Sequence, residues 1–303
     1  MLSQAITRYL ALRRAVGFEL KVDEGLLRDF ARFAALHDKD HVESRTAIEW
    51  AAQAPSPNQR ERRLGMVRRF AHHARAEDPA HELVPRQVFA HTRRRPRPYI
   101  FSPAELSQLL QATSRLRPRR SLRPQTYYTL FGLLAASGLR VSEVLHLLLD
   151  DVTPDGLVIR QTKFRKSRLV PLHDTTALAL HRYLEPRPAR GGTDPHVFLS
   201  THGRPLTYAM VNGTFHFLLR ALTPRWTPGH RPPRIHDLRH SFAVHALERS
   251  PAAPNGIDPH LLALSTYLGH AHVTDTYWYL QATPHLMTTI ADACAAGRPG
   301  QTP

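Results

Sequence analysis

A single cysteine, Cys294, occurs in 303 residues, which excludes an internal disulfide framework and any zinc centre built on cysteine thiolates. No apolar run approaches the roughly 18 residues that a membrane-spanning helix needs. The opening residues, Met-Leu-Ser-Gln-Ala-Ile-Thr-Arg-Tyr-Leu, carry neither the apolar stretch nor the cleavage site of a secretory leader. The expectation is a soluble cytoplasmic chain. Lysine is scarce too: of 41 basic residues only Lys21, Lys39, Lys163 and Lys166 are lysine, and the rest are arginine. Acidic residues number 25, so the formal net charge is +16. That imbalance points to a polyanionic partner, nucleic acid first, with a merely solvated arginine-rich surface as the bland alternative. Hydrophobic content of 42% is enough for a real core.

Periodicity divides the chain. Leu2, Ile6, Tyr9, Leu10 and Leu12 recur at helical spacing, as do Leu26, Leu27, Phe30, Phe33 and Ala34. A third helix is expected after Ser44, carrying Ile48 and Trp50. A fourth is expected after the Pro55/Pro57 break, through Leu64, Met66, Val67, Phe70 and Ala71. This fourth helix also carries Arg62, Arg63, Arg68 and Arg69, which could lie along DNA or simply face solvent. Residues 1–92 therefore read as a helical domain. Residues 93–101, rich in arginine and proline, read as an extended linker. A second domain, 102–303, starts at Ser102, a plausible N-cap with Glu105 three residues on. Within it, a helix over about 126–136 should stop at Gly138 and another should begin near Val141. From Leu157 the pattern changes to that of a β-hairpin, Leu-Val-Ile-Arg-Gln-Thr, a polar turn, then Arg-Leu-Val-Pro-Leu. A Pro/Gly-rich excursion follows at 185–195, and 285–296 reads as a last amphipathic helix. The fold class expected is mainly α with a small β-hairpin or sheet in the second domain.

Four clusters could carry chemistry. His236 and Arg239 are three apart, so on a helix they share a face, one able to move a proton and the other to hold an anion. His236 and His240 also have the spacing of a zinc helix, but the glutamate that such a motif places beside its first histidine is missing and Arg239 would set a positive charge against the metal. Arg140 follows the Gly138 turn at a helix start, where backbone amides favour an anion, and Glu143 could orient its guanidinium. Lys163 lies at the hairpin turn, with Arg165 and Lys166 close by. A lysine in an arginine-dominated chain suits a role that needs a proton to leave, such as a general acid. Tyr277 and Tyr279 compete as nucleophile. With Thr274 as N-cap, Val273, Thr276, Tyr277 and Leu280 would form the packed face, and Tyr279, about 200° round from Tyr277, would project free. His270 and His272, flanking Ala271, also raise the metal-dependent tyrosine nucleases of replication initiators and relaxases, but no third ligand or clear strand accompanies them.

Taken in order, five segments resemble the tyrosine recombinase, or phage integrase, family of mobile elements: Ser-Gly-Leu-Arg-Val-Ser-Glu at 137–143, the hairpin with Thr-Lys-Phe-Arg-Lys-Ser-Arg, His-Asp-Leu-Arg-His at 236–240, Leu-Gly-His at 268–270, and Tyr279 nine residues after His270. Each alone is weak; the ordered set is specific. The resemblance implies a helical DNA-clamping domain followed by a catalytic domain. It implies that Arg140, Arg239 and His270 hold the scissile phosphate, that Lys163 protonates the leaving 5′-oxygen and that His236 assists proton transfer. Tyr279 would form a 3′-phosphotyrosine, with no metal, ATP or other cofactor. It also implies double-stranded DNA as partner and a tetramer, of this chain or with co-acting recombinases, on paired sites. A catalytically silent DNA-binding accessory subunit is the alternative, and a topoisomerase of related chemistry would relax supercoils without paired sites.

Overall fold

The computed structural model describes residues 2–89, 98–119, 121–160, 167–186, 194–222, 232–249, 259–270 and 272–280. The expectations for 161–166, for most of 185–195 and for 285–296 fall outside them. The chain divides into two compact units, Met1–Arg95 and Pro96–Pro303.

Four helices build the first unit: α1 (Leu2–Ala15), α2 (Lys21–Ala35), α3 (Ser44–Ala52) and α4 (Pro57–Glu77). The Ser56 hydroxyl accepts from the Gln59 amide at 3.3 Å and caps α4, with Pro57 in its first turn, where a missing N–H costs nothing. Their inward faces meet in a core around Phe30, Trp50, Leu64 and Phe70, each at most 1% exposed. The indole of Trp50 packs on Phe30 at 5.4 Å and donates to Asp29 at 3.0 Å, so its polar end is satisfied. Leu12, counted in the apolar spacing of α1, lies on the solvent side at 53% exposure.

In the second unit, Ser102 and Glu105 form a reciprocal capping box at the start of α5 (Pro103–Ala112). Residues 98–101, read as linker, belong to this unit's packing. Phe101 is buried, and its amide donates to the Ser241 hydroxyl at 2.8 Å. Helix α6 (Arg123–Ser137) runs through the core with α5 and α8 (Asp174–Leu184) against it, and Phe131 packs edge-on to Phe215 of α9 (Tyr208–Leu222). The short α7 (Val141–Leu145) follows α6 in the chain. A third strand joins the expected hairpin: β1 (Val152–Thr153), β2 (Gly156–Ile159) and β3 (Arg168–Val170) form one antiparallel sheet in that order. At two residues, β1 is too short to show an alternation in sequence. Leu157 opposes Val170 and Ile159 opposes Arg168, which sets Arg168 on the inward-facing side of its strand. A second apolar cluster joins α10 (Asp237–Glu248), α11 (Pro259–Leu268) and α12 (Thr274–Leu280) through Val244, Leu264, Leu268 and Tyr279. Among the described residues the architecture is mainly helical with one small sheet. Among the described residues no helix is long and apolar enough to cross a membrane.

Candidate active site

Helix α6 ends at Gly138, whose amide returns to the Leu134 carbonyl with φ +61°. A Cβ here would meet Phe242 at 2.4 Å, so both the left-handed backbone and the packing require glycine. The turn delivers Arg140 to the start of α7. Its amide donates to Glu143 Oε2 and its Nη1 to Glu143 Oε1, both at 2.9 Å. Glu143 is nearly buried and accepts a second, bidentate pair from Arg168, Nη1 to Oε1 and Nη2 to Oε2, both at 3.0 Å. Burial pushes the Glu143 carboxyl up, but Arg168 and then Arg140 outweigh it and hold it below the usual carboxylate range.

Arg239 comes from α10 and is 2% exposed. It donates to the Gly138 carbonyl and to the Leu268 carbonyl, each at 2.7 Å. Arg140 donates to the next carbonyl, Gly269, at 3.0 Å, and Arg168 to the preceding one, Tyr267, at 2.9 Å. Three consecutive carbonyls at the C-terminal end of α11 thus receive three arginines from distant parts of the chain. That end of a helix carries partial negative charge and orphan acceptors, so it offsets the mutual repulsion of the guanidiniums. Gly269, at φ +66°, leaves room for this: a Cβ would meet Arg168 at 2.8 Å. Burial, with the Arg140 charge second, draws the Arg239 guanidinium down to about 10, still protonated at neutral pH.

His270 leaves the same turn and bonds through Nδ1 to the Thr276 hydroxyl at 2.8 Å. Its ring lies nearly parallel to Tyr279, 6.1 Å between centroids. His236 stands edge-on to His240 at 4.7 Å, and His240 in turn packs on Tyr279 at 5.5 Å. His236 is exposed at its surface, with the His240 ring and the charges of Arg239, Arg234 and Arg140 on its protein side. Desolvation, then Arg239, Arg234 and Arg140, lowers it to about 4. Burial, then Arg239 and Arg140, brings His270 to about 4 as well. Both rings are neutral at pH 7 and so offer one donor and one acceptor each.

The two tyrosines exchange the faces expected of them. Among the described side chains of α12, Thr276 and Tyr279 are buried, at 0% and 3% exposure, and Tyr277 faces outward at 41%. The packed face follows Val273, Thr276 and Tyr279 because α12 is seated on α10 and α11, a docking that helical periodicity alone does not reveal. Tyr279 is therefore the tyrosine beside the arginines, with the Arg239 charge acting on its hydroxyl. Burial raises the Tyr279 hydroxyl, and the Arg239 charge opposes that rise.

Lys163, Arg165 and Lys166 lie outside the described residues, although β2 and β3, which flank them, are described. Of the α4 arginines, Arg62 and Arg69 are exposed, whereas Arg63 covers the Trp50 ring at 5.1 Å. Arg68 is tied to Glu61 and to the Val84 and Pro85 carbonyls. Arg168 stands in the quoted hairpin segment without a role read for it, although an arginine two residues before the inward Val170 of a strand is a legible sign of an internal ion pair.

Among the described residues, one set of three side chains is close enough to surround a metal: His41, Asp78 and His81 of the first unit. The Val42 amide donates to His81 Nδ1 at 2.9 Å, so the proton of the neutral ring sits on Nε2. Neither nitrogen then offers a free lone pair, and the set does not fit a metal ion.

A family model described as the phage integrase family matches residues 100–285. The chain is 41% identical over 295 residues to the putative integrase/recombinase y4rB of Sinorhizobium fredii, covering 94% of each. It is 35% identical over 161 residues to tyrosine recombinase XerD of Staphylococcus aureus, 50% of this chain and 48% of that one. Its structure is similar to the Tn1549 transposon integrase in complex with transposon right end DNA, with a TM-score of 0.66 and 18% identity over 96% of this chain and 99% of that one. A lambda integrase dimer bound to a COC′ core site gives 0.65 at 18% identity, over 90% and 96%. At such identity these two structures speak for the fold.

Proposed function

The chain belongs to the phage integrase family and is a tyrosine-type DNA recombinase, and from that premise we propose that it cuts and rejoins double-stranded DNA through a 3′-phosphotyrosine on Tyr279. The observation that carries this reading is the buried Arg239, its charge set against Tyr279 and its guanidinium anchored beside Arg140 on the α11 terminus. Two guanidiniums fixed before substrate arrives can neutralise the charge that builds on the non-bridging oxygens, the work a metal does elsewhere.

In this reading the Tyr279 oxygen attacks phosphorus and its proton passes to His236, whose neutral ring has a lone pair to accept it. His270, bonded through Nδ1 to the Thr276 hydroxyl, would carry its proton on Nε2 and donate to a phosphate oxygen. The bond to the 5′-oxygen breaks and Lys163 supplies the proton that makes it a hydroxyl. A 5′-hydroxyl of a second strand reverses the sequence. One phosphodiester replaces another, so neither ATP nor another cofactor is needed.

The integrase and recombinase relatives support a role in integration, excision or transposition of a mobile element. Strand exchange would take place in a tetramer on paired sites, of this chain or with co-acting recombinases. The helical segment 1–92, with Arg62 and Arg69 exposed, and the catalytic segment 102–303 would each contact the DNA. The test is covalent trapping on a nicked suicide duplex from the flanks of the gene's own element, in EDTA. A denaturation-resistant adduct with wild type and none with Tyr279→Phe is the expected result. Tight binding without an adduct would favour the accessory-subunit reading.

A further inference from the structure

Glu143 presents a problem for a phosphate site. It is a nearly buried carboxylate 2.9 Å from Arg140, and a carboxylate there competes with phosphate for the same N–H groups and cancels the same charge. The structure answers it with Arg168, which engages both carboxylate oxygens fork to fork while its own Nε is held by the Tyr267 carbonyl. Nothing in the ordered motifs singled this residue out.

We propose that Arg168 is a positioning residue of the phosphate site, which takes up the Glu143 carboxylate and so leaves Arg140 its net charge and its spare N–H groups for the scissile phosphate. This rests on the reading of Arg140 as a phosphate ligand. Arg140 spends one hydrogen of Nη1 on Glu143 and one of Nη2 on the Gly269 carbonyl, and each of those nitrogens carries a second. Arg140, Glu143 and Arg168 together carry one net positive charge; without Arg168 they carry none, and Glu143 would turn wholly to Arg140. The shared α11 terminus adds geometry to charge. Arg168, Arg239 and Arg140 bond the successive carbonyls of Tyr267, Leu268 and Gly269, so the Arg168 guanidinium fixes the register in which the other two present themselves. Lysine at 168 could supply the charge but not the fork or the third bond.

The test compares wild type, Arg168→Gln, Arg168→Lys and the double variant Arg168→Gln/Glu143→Gln in two assays. The first is single-turnover cleavage of the nicked suicide duplex, at a temperature where every variant shows native circular dichroism. The second is the rise in melting temperature on adding inorganic phosphate, counting only the part that Arg140→Ala abolishes. Each variant is compared with itself without phosphate, so its own stability cancels. Arg168→Gln should lose the phosphate-induced rise and about tenfold or more in cleavage, the coupling expected inside one ion-pair network. Removing the Glu143 charge in the same chain should restore a large part of both, and Arg168→Lys should fall between. A double variant no better than Arg168→Gln, or an Arg168→Gln variant equal to wild type, would overturn the proposal. If wild type forms no adduct while the phosphate series behaves as expected, the recombinase mechanism fails and the role of Arg168 stands.

Discussion

The ring of Tyr279 lies 22° from the plane of His270, and the two rings come from opposite ends of one short turn and helix. His270 is fixed by Thr276 and Tyr279 by its seat among Val244, Leu264 and Leu268, so neither ring is free to exchange places with a neighbour. Tyr279→Phe should therefore abolish covalent attachment while leaving the fold and DNA binding in place, since only the hydroxyl is removed. Tyr277→Phe should form adduct at the wild-type rate. Denaturing gels of trapped complexes decide between them, and an adduct surviving in Tyr279→Phe would remove this residue as nucleophile.

Lys163→Ala should slow cleavage by about 10²–10⁴-fold if this lysine is the general acid. A substrate with a 5′-thiol leaving group needs no protonation and should return the variant to near the wild-type rate. Slow cleavage of both substrates would count against the role.

His236 and His270 both sit at about 4, below the ordinary value of 6.5, through desolvation first and neighbouring arginines second. Between those values the unfolded chain binds protons that the folded protein refuses. Stability therefore falls as pH drops from about 6.5 toward 4, and this contribution is whole above 6.5. Melting temperatures from pH 7.5 to 4 should show that decline, and His236→Asn/His270→Asn should flatten part of it. Parallel curves for the two proteins would show that these rings do not carry the effect.

Gly138→Ala meets two penalties at once, a left-handed backbone and a Cβ 2.4 Å from Phe242. The backbone alone costs about 1–3 kcal/mol. Urea unfolding should report at least that loss, and cleavage should drop as well, because Arg239 bonds the Gly138 carbonyl. A variant of unchanged stability would show that this turn relaxes freely.

Arg62 and Arg69 are exposed and seven apart, nearly in line along α4. Replacing either by alanine should lower the slope of log affinity for DNA against log salt by about 1 for each phosphate that the arginine neutralises, with melting temperature unchanged. Arg68→Ala should do the opposite. It frees the Val84 and Pro85 carbonyls and should destabilise the protein by about 1–3 kcal/mol, measured by denaturation.

What the sequence determined by itself is what local chemistry encodes. Apolar spacing placed the four helices of the first unit, Ser102 with Glu105 marked the start of α5, Gly138 marked a stop, and alternation from Leu157 marked the hairpin. The ordered motifs were enough to indicate the family, because each is a short stretch whose residue types are read directly. Tertiary structure decided the rest. Which tyrosine turns inward depends on how α12 seats against α10 and α11, and both faces of that helix carry an aromatic ring. Arg239 reaches Gly138 across 101 positions, Arg168 reaches Tyr267 across 99, and Arg140 reaches Gly269 across 129. No periodicity spans such separations. The convergence of three arginines on one helix end exists only once packing has closed those loops, where the end's unpaired carbonyls offset the repulsion that would otherwise hold the charges apart.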